Sequence, residues 1–131
     1  ALDHGFGDAV GVDLPRRDIQ AGLKQKCQPW ELAKAFDQSA PVGSLHAATD
    51  IGHPFSGAIC LEVNGIEKQR GDLAQMIWSV PEVIAELAAY VTLCPGDLIF
   101  TGTPDGVGPV SRGGLVTARI EGVGELRLCF V

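Results

Sequence analysis

Ala58-Ile59-Cys60-Leu61-Glu62-Val63-Asn64-Gly65-Ile66-Glu67-Lys68-Gln69-Arg70 decides the fold class. From Ala58 to Asn64 the residues alternate. Ile59, Leu61 and Val63 fall on one side of an extended chain, Cys60 and Glu62 on the other, which predicts a half-buried strand. Asn64-Gly65 follows at once. Both residues tolerate positive φ, and the pair is the strongest short signal for a two-residue hairpin. Ile66 to Arg70 then reads as the return strand.

The same pattern recurs downstream. Val116, Ala118 and Ile120 alternate with Thr117, Arg119 and Glu121. Gly122-Val123-Gly124 turns the chain, and Leu126, Leu128 and Phe130 alternate with Arg127 and Cys129. A closing hairpin is expected there. Between the two hairpins, Ser79 and Glu82 have the spacing of a capping box. Val80, Val83, Ile84, Leu87, Ala88 and Val91 follow at helical spacing, so a helix is expected with this stripe in the core. Pro95-Gly96-Asp97 reads as a turn, and Leu98-Ile99-Phe100 as a short strand leading into Thr101-Gly102-Thr103-Pro104-Asp105-Gly106-Val107-Gly108.

Upstream, residues 5–13 read as an extended segment. Pro15 suits a first helical turn, and the helix is expected to run to about Lys26 with Ile19 and Leu23 on its buried face. Trp30 to Phe36 reads as a further helical turn or a structured loop, and residues 37–57 as irregular. The sum is an α+β chain, mostly β, with two or three short helices.

Composition narrows the function classes. The 131 residues suit one domain (1–131), with 46% hydrophobic and 20% charged residues, 17 Gly and 8 Pro. The formal charge of −6 gives no basis for a nucleic-acid partner. No apolar run approaches the length of a membrane span. The stretch Ala1 to Gly5 lacks the basic start and apolar run of a signal peptide. Cys27, Cys60, Cys94 and Cys129 form no close pair. Free buried thiols of a cytoplasmic protein are expected rather than a thiolate metal site.

Three places carry candidate chemistry. In 101–108, glycines let backbone N–H groups converge on an anion and Thr adds a hydroxyl donor. The loop lacks the Gly-Lys-Ser/Thr ending of a phosphate loop and the following helix of a dinucleotide turn. On its residues alone it reads first as a plain glycine turn. In Val12-Asp13-Leu14-Pro15-Arg16-Arg17-Asp18-Ile19-Gln20, an acid at the end of an extended segment precedes Arg and Gln on a helical turn. A carboxylate is a hard ligand suited to Mg²⁺, yet one Asp is not a site, and on the residues alone Arg17 and Asp18 read first as solvated or paired on a surface helix. Lys34, between Ala33 and Ala35, is placed either to meet a developing anion or to reach water. His4, His46 and His53 form no triad arrangement and read as structural or surface residues.

Taken in order, Val12–Gln20, Gln28–Asp37, Leu61–Gly65, Met76-Ile77, Leu93–Asp97 and Thr101–Pro109 resemble the fumarylacetoacetate hydrolase family. They are similar in particular to its bacterial and mitochondrial acylpyruvase and oxaloacetate-processing members. The resemblance implies a mixed β-roll or sandwich, usually a homodimer, with Mg²⁺ or Mn²⁺ held by a Glu-x-Glu pair and a later Asp. Asp13 resembles that later Asp. Arg17 and Gln20 resemble substrate-binding residues, Lys34 the catalytic lysine, and Thr103 the threonine that holds the substrate carboxylate. Pro15-Arg16 stands where small residues are common in the family. No Glu-x-Glu precedes Asp13, and the family's upstream His and Glu pair is also absent. A C-terminal portion of a longer enzyme is therefore expected, with a truncated, inactive paralogue or non-catalytic domain as the alternative.

The implied reaction acts on small 2-oxo acids, above all 2,4-dioxo acids. Acylpyruvates would be hydrolysed at a C–C bond, and oxaloacetate decarboxylated or tautomerised, through a metal-stabilised enolate. Isomerisation or hydration of 2-hydroxy-dienoates from aromatic degradation would use the same step.

Overall fold

The computed structural model describes residues 2–131; Ala1, the first residue of the stretch read for signal-peptide character, lies outside them. The first hairpin forms from β3 (Ala58–Val63) and β4 (Ile66–Asp72), with Asn64 and Gly65 at φ 53° and 75°. β5 (Leu115–Ile120) and β6 (Gly124–Cys129) form the second. All join in one antiparallel sheet of order β4-β3-β5-β6.

Alternation gives this sheet two unlike faces. Ile59, Leu61, Val116, Ala118, Ile120, Leu126 and Leu128 lie on one. Cys60, Glu62, Thr117, Arg119, Glu125 and Arg127 lie on the other. There Arg119 bonds Glu125 and Glu62, and Arg127 bonds Glu125 at 2.5 Å. Those two guanidiniums hold the Glu125 carboxyl below the usual carboxylate range.

The apolar face is covered by an extended N-terminal segment. Val10 and Val12 are buried and cluster with Ala118 and Val123, with Leu14, Leu61 and Leu126 packed around them. This segment runs against residues 33–43. Gly43 N–H donates to Val10 O, Val12 N–H to Pro41 O, Leu14 N–H to Ser39 O and Arg16 N–H to Ala33 O, at 2.8–3.0 Å. A separate two-stranded pair, β1 (Gly7–Asp8) and β2 (His46–Ala47), precedes α3 (Ala48–Ile51). His53 Nδ1 lies 3.1 Å from Asp8 Oδ2, which accords with a structural role for that histidine.

The helices are α1 (Arg17–Gln25), α2 (Glu31–Lys34), α3 and α4 (Val80–Ala88). Two have nine residues and two a single turn. The chain is α+β as expected, but among the described residues there are four α-helices rather than two or three, and strands are about as common as helices rather than dominant. The Ser79–Glu82 cap forms: the Glu82 carboxylate accepts from Ser79 N–H at 2.7 Å and from its hydroxyl at 2.6 Å.

Several expectations are corrected. The stripe of α4 is not fully buried core: Val80, Val83 and Ile84 are half-buried, and Leu87, Ala88 and Val91 are exposed. Ile19 on α1 stays exposed and Leu23 is half-buried, although α2 contacts this helix. Leu98 to Phe100 forms no strand. The cysteines are free but not buried: Cys27, Cys94 and Cys129 are exposed and Cys60 half-buried.

Candidate active site

Asp13 owes its position to the period of the extended segment. Val10 and Val12 point into the core, so Gly11 and Asp13 point out. The same backbone ladder sets Arg16 against Ala33, a residue with no exposed surface. That places the neighbouring Lys34, at the end of α2, beside Asp13. Lys34 Nζ bonds Asp13 Oδ2 across 21 residues of sequence, with side chains 37% and 52% exposed. Arg16 itself turns aside and lies 4.5 Å from the Phe36 ring centroid. This contact anchors the far side of the ladder.

Arg17 and Gln20 share one face of α1, three residues apart, and Arg17 Nη1 donates to Gln20 Oε1 at 3.2 Å. Trp30 ties this pair to Lys34. An open groove of about 360 Å³ is lined by Arg17, Gln20, Ala21, Lys24 and Trp30. A second, of about 440 Å³, is lined by Gln28, Pro29, Trp30, Glu31 and Lys34. Four of the five expected site residues thus gather around Trp30 and the Asp13–Lys34 pair.

Thr103 is anchored elsewhere, by β4. Its loop begins at Phe100, whose ring lies over Gly11; a Cβ at Gly11 would stand 2.7 Å from the ring. Only glycine allows that approach, two residues before Asp13. Further along, Gly106 has φ 101° and a Cβ there would lie 1.8 Å from Lys68 O, so the loop sits directly on β4. Gln69 Nε2 donates to Thr103 Oγ1 at 2.8 Å and to Pro104 O at 2.6 Å.

Sequence reasoning missed Gln69. A regular hairpin after Asn64-Gly65 puts it on the polar face. In the structure Leu61 faces Gln69 and Glu62 faces Glu67, so Lys68 is an extra, bulged residue. A bulge reverses which side chains point to which face. Gln69 joins the apolar face in a row with Leu61, Ala118 and Leu126. The available signal was Lys68 and Arg70: a regular register would have turned both charges into the core. Trp30, which joins the two grooves, was read only as the start of a helical turn or loop.

Asp13 fits one position of a hard-cation site, being an outward, half-exposed carboxylate. Among the described residues no group of three or more His, Cys, Asp or Glu side chains could hold a metal. No helix among them is long and apolar enough to cross a membrane.

The α+β fold thus carries a carboxylate–lysine pair and a glycine loop seated on β4. The chain belongs to the family described as fumarylacetoacetate (FAA) hydrolase C-terminal, whose model matches residues 1–131. It is 41% identical over 123 residues to a fumarylpyruvate hydrolase of Ralstonia sp, covering 94% of this chain and 64% of that protein. It is 44% identical over 119 residues to oxaloacetate tautomerase YcgM of Escherichia coli (strain K12), covering 90% of this chain and 53% of that one. A crystal structure of fumarylpyruvate hydrolase from Pseudomonas aeruginosa in complex with Mn²⁺ and pyruvate superposes with a TM-score of 0.96 at 49% identity. That match covers 100% of this chain and 56% of the other. The chain therefore spans between 53% and 64% of the length of these relatives.

Proposed function

We propose that residues 1–131 are one catalytic domain of a longer enzyme that processes small 2-oxo acids, with C–C hydrolysis of acylpyruvates as its first reaction. The observation that carries this reading is the meeting of Asp13 and Lys34, with Arg17 and Gln20 in a groove that shares Trp30 with that of Lys34. The fumarylpyruvate hydrolase and oxaloacetate tautomerase among the relatives support the substrate class. Oxaloacetate tautomerisation or decarboxylation and the isomerisation of 2-hydroxy-dienoates ask the same of these residues, namely that they stabilise an enolate.

In this reading Asp13 is one ligand of Mg²⁺ or Mn²⁺, in a set completed from outside the described residues. The bound cation supplies Lewis-acid polarisation of the 2-oxo and carboxylate oxygens. Lys34 brings a fixed positive charge to the oxygen on which negative charge develops, and a preplaced ammonium needs no reorganisation as the reaction proceeds. Arg17 and Gln20 orient the substrate from α1, the guanidinium by charge and the amide by hydrogen bonding. Thr103 holds the substrate carboxylate through its hydroxyl. We further propose a homodimer acting in the cytoplasm. Exposed apolar side chains such as Ile77, 96% exposed, and Trp78 support the first, and four free thiols the second.

The test is a panel of acylpyruvates, oxaloacetate and 2-hydroxy-dienoates on the full-length protein and its Lys34→Ala variant, with Mg²⁺ and Mn²⁺. Removal of Lys34 is expected to lower kcat about 100-fold or more on the substrates turned over, the scale of one lost oxyanion donor. Unchanged kcat on every substrate would remove Lys34 from the chemistry.

A further inference from the structure

We propose that Gln69 is a positioning residue for the substrate carboxylate: it holds the Thr103 hydroxyl as a hydrogen-bond donor. This rests on the reading of Thr103 as the carboxylate-holding residue and names what sets its proton.

Gln69 is only 7% exposed, on a strand whose other residues are half-buried or exposed. A buried amide must find partners, because leaving its N–H groups unpaired costs more than any single hydrogen bond returns. The bulge at Lys68 turns this side chain toward the 101–108 loop, and the close seat of Gly106 on Lys68 O keeps the loop within reach.

The chemistry of the partners then fixes every donor. Pro104 O is a carbonyl and can only accept, so the atom 2.6 Å from it is the amide nitrogen and not the amide oxygen. The same nitrogen lies 2.8 Å from Thr103 Oγ1. An amide NH₂ has two protons; one serves Pro104 O and the other serves Thr103. The Thr103 oxygen is therefore an acceptor in this bond. Its single hydroxyl proton is left to point to a different acceptor. Thr103 is itself exposed, so that acceptor can come from outside the protein, and an anionic carboxylate is the strongest candidate. Gln69 thus converts a hydroxyl with no preferred role into a committed donor, and no charge is needed in the loop.

The experiment is a double-mutant cycle on the full-length protein loaded with Mn²⁺, with pyruvate as the carboxylate probe and its Kd read by calorimetry. Thr103→Val is expected to weaken pyruvate about 10-fold, the scale of a hydrogen bond to a charged group. Gln69→Met, close in shape but without donors, is expected to weaken it by a similar factor. The double variant is expected to lose little beyond either single change, because both remove one donated proton. Thr103→Ser keeps the hydroxyl and is expected to restore most of the affinity.

The outcomes separate the two claims. If Thr103→Val leaves Kd unchanged, the carboxylate reading falls and the inference falls with it. If Thr103→Val weakens binding and Gln69→Met does not, the reading stands and the role of Gln69 is overturned. Fully additive losses also overturn it, since Gln69 would then act by a route that does not pass through Thr103. Gln69→Glu provides a second cycle should the methionine variant fail to fold. It keeps the shape and replaces donors with acceptors, and the same outcomes decide it.

Discussion

The sheet with its N-terminal cover and the helical segments around it are built to different standards. Val10, Val12, Val116, Ala118 and Val123 are buried, and all belong to the sheet, its turns or the segment lying across it. In α1 and α4 no residue is buried, although both have an apolar stripe at helical spacing. Three of the five candidate site residues hang on a buried neighbour, while Arg17 and Gln20 sit on α1, which has none. Asp13 is the outward neighbour of Val12, Lys34 the neighbour of fully buried Ala33, and Thr103 the partner of buried Gln69. The contrast teaches that positional accuracy at this site comes from a β-rich frame, while the surfaces beyond it are left open.

The largest effect is expected where the open part is pinned to the packed part. Gly106→Ala combines a disfavoured positive φ with a Cβ 1.8 Å from Lys68 O. It should cost about 2–3 kcal/mol in urea unfolding and open the 101–108 loop to protease. An alanine accepted there without loss would show that the loop is not seated on β4. Next comes the core itself. Val116, 1% exposed, is expected to cost about 2 kcal/mol when changed to Ala. The smallest effect is expected on α4, where Ile84→Ala should cost about 1 kcal/mol or less, because Ile84 is only half-buried and Ala favours the helix. Equal costs at Val116 and Ile84 would break the contrast and mean that another surface covers α4.

The sequence made the frame legible because two hairpins alternate cleanly and their turns carry Asn-Gly and Gly-Val-Gly. The capping box of α4 was equally visible, but periodicity shows only that a helix has an apolar stripe, not what lies against it. Hence the stripe was expected in the core and is found half-buried at Val80, Val83 and Ile84 and exposed beyond them. Asp13 and Lys34 are 21 residues apart, and their meeting depends on a ladder of irregular backbone between residues 10–16 and 33–43. No local pattern in residues 37–57 encodes that ladder. The family resemblance, not the spacing, marked the two as members of one site. Gln69 stayed hidden because one bulged residue reverses the side to which a strand residue points.

The most direct test of Asp13 as a metal ligand is calorimetric titration of Mn²⁺ into the full-length protein and its Asp13→Ala variant at one pH and ionic strength. Loss of a carboxylate ligand is expected to weaken Mn²⁺ at least about 10-fold with the fold intact, comparable to the loss of even a supporting partner of a metal ligand. Equal affinity in the two proteins would contradict the assignment and leave the Asp13–Lys34 pair as a structural salt bridge.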